Sequence, residues 1–504
     1  MKKTALLFLL LFTRIPLHAQ NDQRLRGLER QISRILEATN TPGCAIAIVE
    51  GEKVLYTQGF GYRDYENKVK ADANTLFSVG STTKAFTAAL VGQLREKGLL
   101  NFEESPSKYV PALKFYNEQL NSGVLIHDLL SMRTGLALHD KAWSGDPVSD
   151  RDSLLRRIEY LEPAAPLRTK WNYSNFSYFI LGTITEKITG KSWEENVANA
   201  LFKPLEMHNS TFGVEGLQGK TNVSLGYVSS SNKVEKVAYY DLAAMSPAGG
   251  INSNAHDMGN WLLTWLNMGK YKGRQILPEQ YVKEAISPQA VMPRGYLPDE
   301  EFPGMYSANY GYGWIISDYK GHYRVEHGGS VDGFRTSVTF FPNEKIGIVV
   351  LTNQTDYEPA LLIRNTLVDK LLEVKKTDWV DLYLKSQEPS QTQTKTLETR
   401  TEVKSEATIS SQQLKEFVGS YINPGYGKIR IFCEEDSLYT YFRRKKLKVA
   451  PASTNQDIFH ATTTVHPYRM AMPPLQFKKD KEGRITSLSI QFESELAAIE
   501  FIKE

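Results

Sequence analysis

Cysteine is nearly absent. The chain has only Cys44 and Cys433, far apart and each inside a strand-like apolar run, "GCAIAIVE" and "KIRIFCEE". This excludes a disulfide scaffold and suits two small buried residues. Metal-ligand spacing is also missing. The nine histidines form no HExxH or related pattern, so no metal centre is expected. Long apolar runs are confined to the N-terminus. There "ALLFLLLF" (5–12) follows Lys2 and Lys3 and precedes "LHA", which ends at Ala19. This reads as a signal peptide over residues 1–19, too short to cross a bilayer as a mature helix. The residue directly after the cleavage point is Gln20 rather than cysteine, which argues against a lipid anchor. Net charge is lacking as well. The whole chain carries +3, and the signal removes Lys2, Lys3 and Arg14 with no acid. A neutral mature chain has no field to hold a nucleic acid.

What remains is ordinary globular composition, 41% hydrophobic and 23% charged over 504 residues. That length exceeds one core. Residues 22–38 have an amphipathic helical pattern. "GCAIAIVEGEKVLYTQGFGYRD" (43–64) reads as a hairpin turning at Glu50-Gly51. Helical patterns dominate from about 100 to 285, and strand patterns return between 310 and 354. Strands at both ends around a helical insert predict one antiparallel sheet assembled from the two chain ends. "SQEPSQTQTKTLETRTEVKSEATISSQ" (386–412) has almost no large apolar residues and reads as a flexible linker. Residues 413–504 alternate like a small barrel or sandwich. The "RRKKLK" run (443–448) fits a solvated strand better than a ligand patch.

Three short elements bear on chemistry. "FSVGSTTKAF" (77–86) sets Lys84 three residues after Ser81, at the start of an apolar helix. The spacing is weak evidence: Ser105/Lys108, Ser230/Lys233 and Ser317/Lys320 share it, and Ser81 could simply cap a helix. Tyr173-Ser174-Asn175 precedes another apolar helix, and Asn175 could be its cap; Tyr421-Ile422-Asn423 has the same Tyr-x-Asn form. His327-Gly328-Gly329-Ser330 lies on a late strand, where the plain alternative is a glycine-rich bend.

Taken in order, with the flanks "LIHDLLSMRTGL" (125–136) and "GYGWII" (311–316), these elements resemble the serine β-lactamase-like family. The resemblance spans roughly residues 25–375 and lies in its class C β-lactamase, D-alanyl-D-alanine carboxypeptidase and esterase branch. The C-terminal unit resembles the lipocalin-like domain following some serine peptidases of this group. The implied fold is α+β: an antiparallel sheet flanked by helices, with a helical subdomain, over residues 20–385. A linker (386–412) and a barrel-like all-β domain (413–504) follow. The implied activity is that of a secreted serine hydrolase, most simply in a bacterial periplasm. It would cleave amides or esters of small substrates, such as D-amino-acid peptides, through an acyl-serine. A serine hydroxyl needs a base, and a desolvated Lys84 can be neutral. By resemblance Ser81 is the nucleophile, and Lys84 and Tyr173 are the acid/base pair, with the main base left open. Asn175 contacts the substrate carbonyl or Lys84. Ser330 supplies an oxyanion N–H beside that of Ser81, and Gly328 and Gly329 let substrate approach. The family's usual Lys-Thr-Gly is replaced by His327-Gly328-Gly329, so weak β-lactam turnover at best is expected. Arg335 is either a substitute carboxylate anchor or a surface arginine. No cofactor, nucleic acid or mature membrane segment is expected, and oligomeric state is not indicated. Two alternatives stand: a penicillin-binding or cell-wall-peptide sensor without turnover, and a ligand carrier centred on the C-terminal domain.

Overall fold

The computed structural model describes residues 22–145, 150–230, 233–293, 307–387, 411–442, 445–452, 455–463 and 471–504. The expected signal peptide and most of the expected linker lie outside these. The linker's ends are helical rather than extended: Ser386 and Gln387 close the helix Trp379–Gln387, and Ser411 opens the helix Ser411–Leu414.

The first helix is α1 (Leu28–Ala38), with Leu28, Ile32, Ile35 and Leu36 buried on one stripe, the spacing of a single helix face. Strands β1 (Gly43–Glu50), β2 (Lys53–Asp64) and β3 (Val69–Lys70) follow. Then come α2 (Thr83–Glu96), α3 (Asn175–Thr189) and α4 (Ala255–Leu266). Six more strands complete the sheet: β4 (Ala290–Val291), β5 (Ala308–Tyr310), β6 (Ile315–Tyr319), β7 (His322–Val331), β8 (Phe334–Phe341) and β9 (Ile346–Thr352). Helix α5 (Glu358–Leu371) follows them.

The sheet order is β4-β5-β6-β7-β8-β9-β1-β2-β3. The two chain ends meet where β1 pairs antiparallel with β9, Ala47 opposite Val349. Strand β1 reads almost wholly apolar because helices cover both sheet faces. Its Cys44, Ile46 and Ile48 join the core under α1 and α5. Its Ala45, Ala47 and Val49 join the core shared with α2, α3 and α4. Each large side chain buried this way contributes about 1.5–3 kcal/mol before entropy costs. Helices α2 and α3 are buried nearly all round, which places them inside the molecule rather than on its surface.

Eight strands, from Gly419–Asn423 to Ile499–Lys503, form a closed barrel. The first and last pair through Ile422 and Ile502, so no edge is left open. Phe417, Tyr421, Phe459 and Phe477 fill its interior, with Phe417 and Phe459 centroids 4.6 Å apart. On the strand Lys445–Ala452, Leu447 is buried while Lys446 and Lys448 are exposed, as a solvated strand requires; Arg443 and Arg444 lie outside the described residues. Cys44 and Cys433 are free thiols in separate units.

Candidate active site

Ser81 sits in a one-turn 3-10 segment, Gly80–Thr82, that runs into α2. It is not the helix cap: Thr82 holds that position, and no side chain caps the helix. The three-residue spacing puts Lys84 beneath it, with Nζ 3.2 Å from Ser81 Oγ. Two closer partners hold Nζ, Asn175 Oδ1 at 2.7 Å and the Ala248 carbonyl at 2.8 Å. The look-alike pairs do other work. Ser105 caps a short 3-10 helix while exposed Lys108 pairs with Glu104. Ser317 accepts from Arg324, and Lys320 pairs with Asp369.

The loop carrying Tyr173 is held by the flank noted in the sequence. Asp128 caps its own helix start by accepting from Leu125 N–H at 3.0 Å. It also receives Arg168 in a fork, Nε at 2.8 Å and Nη2 at 2.7 Å. Asn172 N–H donates to Met132 O at 3.2 Å, and Tyr178 O–H on α3 donates to Leu130 O at 2.9 Å. Tyr173 is thereby delivered to the cleft that Ser81 also lines, where the Ser81 hydroxyl acts to lower the Tyr173 pKa. Lys84 Nζ lies 4.8 Å from the centre of its ring. Asn175 is the first residue of α3, after the Ser174 N-cap. Its side chain is not a cap; it bridges Lys84 and Asp140, with Nδ2 2.7 Å from Asp140 Oδ1. In Tyr421-Ile422-Asn423, by contrast, Tyr421 O–H bonds Phe417 O and Asn423 Oδ1 holds a turn.

The third wall is β7. Strand β6 pairs with it only as far as Glu326, whereas β8 pairs to its end. Among the described residues, His327 to Val331 therefore have a strand on one side and the cleft on the other. Gly329 is a packing glycine: a Cβ there would sit 1.9 Å from Val79 O and 2.2 Å from Thr336 Oγ1. Thr336 Oγ1 itself donates to Val79 O at 2.9 Å. Gly80, at φ +53°, is its counterpart, since a Cβ would fall 2.6 Å from Ser330 N. These two glycines bring the Ser81 turn and Ser330 together. Gly328 is less demanding; its Cβ would meet Thr336 O and Tyr357 at 3.6 Å. Both glycines line the cleft, and Gly329 in addition makes room for the Ser81 turn. Gly329→Ala should lower kcat/KM by on the order of 100-fold, as the turn and strand separate. It should cost roughly 1–3 kcal/mol of stability, while Gly328→Ala keeps its thermal midpoint; kinetics and thermal melts of the two variants check this.

A cleft of about 590 Å³ joins these walls. It is lined by Ser81, Tyr173 and Asn175, by residues 327–331, and by Asp140 and Arg335. Arg335 stands opposite Ser330 in the ladder and is a cleft residue rather than a surface one. A second cleft, about 830 Å³, shares Leu138 and Tyr173 with the first and has the barrel's Glu493 and Glu495 in its wall. Burial lowers the Lys84 pKa to about 7, opposed by the charge of Asp140. Burial also raises the Tyr173 phenol well above its usual value. His327 is pushed down to about 4 by burial and by nearby Lys84. Its Nδ1 faces Gly328 O at 2.7 Å. A carbonyl only accepts, so Nδ1 carries the hydrogen and Nε2 accepts from Tyr310 O–H, 3.3 Å away. The imidazole is neutral and offers no cation in place of the family's lysine.

A family model described as Beta-lactamase matches residues 28–373. The chain belongs to the Beta-lactamase family. This β-lactamase-family serine hydrolase carries a second match, over residues 403–502, to a domain of unknown function, DUF3471. It is 27% identical over 492 residues to unguisins hydrolase ungD' of Aspergillus campestris, covering 92% of this chain and 89% of the relative. It is 29% identical over 351 residues to protein flp of Staphylococcus aureus, covering 68% and 66%. Its fold resembles the octameric penicillin-binding protein homologue from Pyrococcus abyssi, at TM-score 0.63, 23% identity and 94% and 99% coverage. A D-stereospecific amidohydrolase from Streptomyces superposes at TM-score 0.54, 20% identity and 66% and 97% coverage.

Asp140, which joins the site through Asn175, was not among the residues the sequence pointed to. It lies in "LHDKAW" (138–143), a stretch without a motif. Gly80 was in view in the quoted stretch, but its closeness to Ser330 has no sequence signal.

Proposed function

We propose that this family member hydrolyses amide or ester bonds of small substrates, among them D-amino-acid peptides or esters, by acylation of Ser81 with Lys84 as the base. The observation that carries the assignment of the base is the set of partners around Lys84 Nζ. Asn175 Oδ1 and Ala248 O are pure acceptors, and together they occupy both hydrogens of a neutral amine. The contact with Ser81 Oγ, at 3.2 Å, is the longest of the three, and in the neutral amine the lone pair is left for it. Tyr173, held as a phenol, is suited to donate rather than to act as the base.

In acylation, Ser81 Oγ attacks the substrate carbonyl and its proton passes to Lys84 Nζ. The backbone N–H groups of Ser81 and Ser330 stabilise the oxyanion. The carbonyl bond to the leaving group breaks, Tyr173 protonates the departing amine or alcohol, and Lys84 reprotonates Tyr173. Water then cleaves the acyl-serine by the reverse route. The cleft volume suits a substrate of a few residues. The D-residue preference draws on the printed activity of the Streptomyces amidohydrolase and on the missing family lysine and threonine. Secretion after cleavage at Ala19, into a periplasm or the medium, belongs to the same proposal.

Fluorophosphonate labelling of the intact chain tests the central step. The expected result is one adduct, mapped by mass spectrometry to Ser81 and lost in Ser81→Ala. A folded wild-type chain that stays unlabelled would sink the reading.

A further inference from the structure

We propose that the C-terminal barrel is a working part of the active site: its Glu493 and Tyr426 hold the His139–Asp140 turn, and Asp140 sets the orientation of the Asn175 amide that faces Lys84. This inference rests on the hydrolase reading above.

The chain of contacts begins at Asn175. Its amide could be placed either way round. Asp140 Oδ1, as a carboxylate, can only accept, so the Asn175 NH2 must face Asp140 at 2.7 Å. The Asn175 oxygen is then left to Lys84, also at 2.7 Å. Without that anchor the amide could turn over and present N–H groups to Lys84. The Lys84 hydrogens would lose an acceptor, and its lone pair would no longer be left for Ser81. Trp143 Nε1 donates to the same Asp140 oxygen at 2.9 Å, which fixes the carboxylate plane.

Asp140 is held in turn by the residue before it. His139 is buried, with φ 49° and ψ 29°. A non-glycine residue keeps this left-handed conformation only where its surroundings enforce it. Three contacts do so, and two come from the barrel. Glu493 accepts from His139 N–H at 2.7 Å and from Leu138 N–H at 3.2 Å. His139 Nε2 lies 3.0 Å from Glu162 O and must donate to it. His139 Nδ1 therefore accepts from Tyr426 O–H at 2.8 Å. Tyr426 is itself fixed: its ring stacks on Phe492, with centroids 5.5 Å apart, and its N–H is bound by Asn423. A barrel attached only for stability would not need to engage the one strained residue beside the Asn175 anchor.

The charged and titratable groups around this path are few. Lys84 is influenced by Asp140 and faces the rings of Tyr173 and Tyr178, and it depresses His327 in turn. Burial raises the Asp140 pKa, opposed by its hydrogen bonds from Asn175 and Trp143 and by the charges of Lys141 and Lys84; burial also raises that of Glu493, to which the Asp140 charge adds. The Asp140 charge holds the Lys84 pKa up, so removing it should let Lys84 lose its proton at lower pH.

The test uses the full chain and p-nitrophenyl acetate, with acylation read in single turnover and kcat/KM read against pH. Tyr426→Phe and Glu493→Ala should each lower the acylation rate by about 10- to 100-fold, the scale of a small misplacement of a reacting group. Asp140→Ala should lose as much or more. Asp140→Asn keeps an accepting oxygen for Asn175; it should recover much of the rate, with the acidic limb of kcat/KM displaced to lower pH. If Glu493→Ala does not fold, Tyr426→Phe and the Asp140 pair carry the test. Wild-type acylation rates in Tyr426→Phe and Glu493→Ala, or an unmoved acidic limb in Asp140→Asn, would overturn the inference while Ser81 still labels. A wild-type chain that never acylates overturns the hydrolase reading itself, and this inference with it.

Discussion

Ser81→Ala should reduce kcat/KM toward a p-nitrophenyl ester by about 10,000-fold or more, because losing the nucleophile removes the covalent route. The fold should be untouched. Ser81 is partly exposed at the cleft, and its hydroxyl caps nothing. Its unfolding free energy should stay within about 0.5 kcal/mol of wild type. The control is Ser105→Ala, which removes a capping oxygen from a half-buried 3-10 turn. It should cost roughly 1 kcal/mol and leave turnover as it was. Activity in Ser81→Ala equal to that of wild type would end the case for this site. So would a mass adduct at another serine.

Lys84→Arg and Lys84→Met should each lower kcat/KM by about 100- to 10,000-fold, the range for losing a general base. A guanidinium cannot deprotonate, and a thioether has no proton to exchange. The pH profile makes the prediction specific. In the wild type the active form is the neutral amine, so kcat/KM should rise with pH and level off above about 7. Below that point it should fall about tenfold per pH unit as the ammonium form takes over. His327 titrates near 4 and Tyr173 above its usual range, so neither bends the curve in between. Both Lys84 variants should lose the limb. The same shift has a stability signature. The folded pKa of about 7 lies below the ordinary 10.5, so across that window the unfolded chain binds more protons, and Lys84 adds stability as pH rises. Lys84→Met should lack that component and leave Asn175 Oδ1 and Ala248 O without their donor. That omission costs roughly 1–3 kcal/mol per unsatisfied group. A flat wild-type profile between pH 5 and 8 would be incompatible with Lys84 as the base.

How much of this could be read from residue order depends on the distance over which each feature acts. Ser81 and Lys84 are one turn apart, so their contact follows from the local geometry of the 3-10 turn that runs into α2. The sheet made from two chain ends was legible because β1 and β9 are short apolar runs bounded by turns. The barrel was legible from alternation, although alternation could not choose between barrel and sandwich. Asn175 was harder. Next to an N-cap, an asparagine reads as a cap, and only the packing of α3 against α2 turns it toward Lys84. Gly329 was assigned to substrate approach because a glycine on a strand reads the same whether a ligand or another backbone comes close. Here Val79 O is one such neighbour. Asp140 carried no signal, since the partner that links it to the site, Asn175, lies 35 residues downstream and the groups that hold its turn through His139 come from the barrel.

The sequence by itself determined the cast: a serine with a lysine one turn away, a tyrosine and asparagine before a buried helix, and a strand ending in His-Gly-Gly-Ser. Local spacing and apolar period are enough for that, because both act within one element. The chemistry of the site was decided only by the tertiary structure. Whether Lys84 holds its proton depends on burial. The way the Asn175 amide faces depends on a carboxylate brought in by a distant loop. That loop stays in its strained shape because a second domain grips it. Desolvation and hydrogen-bond complementarity are properties of assembled surroundings, and no stretch of this chain contains them alone.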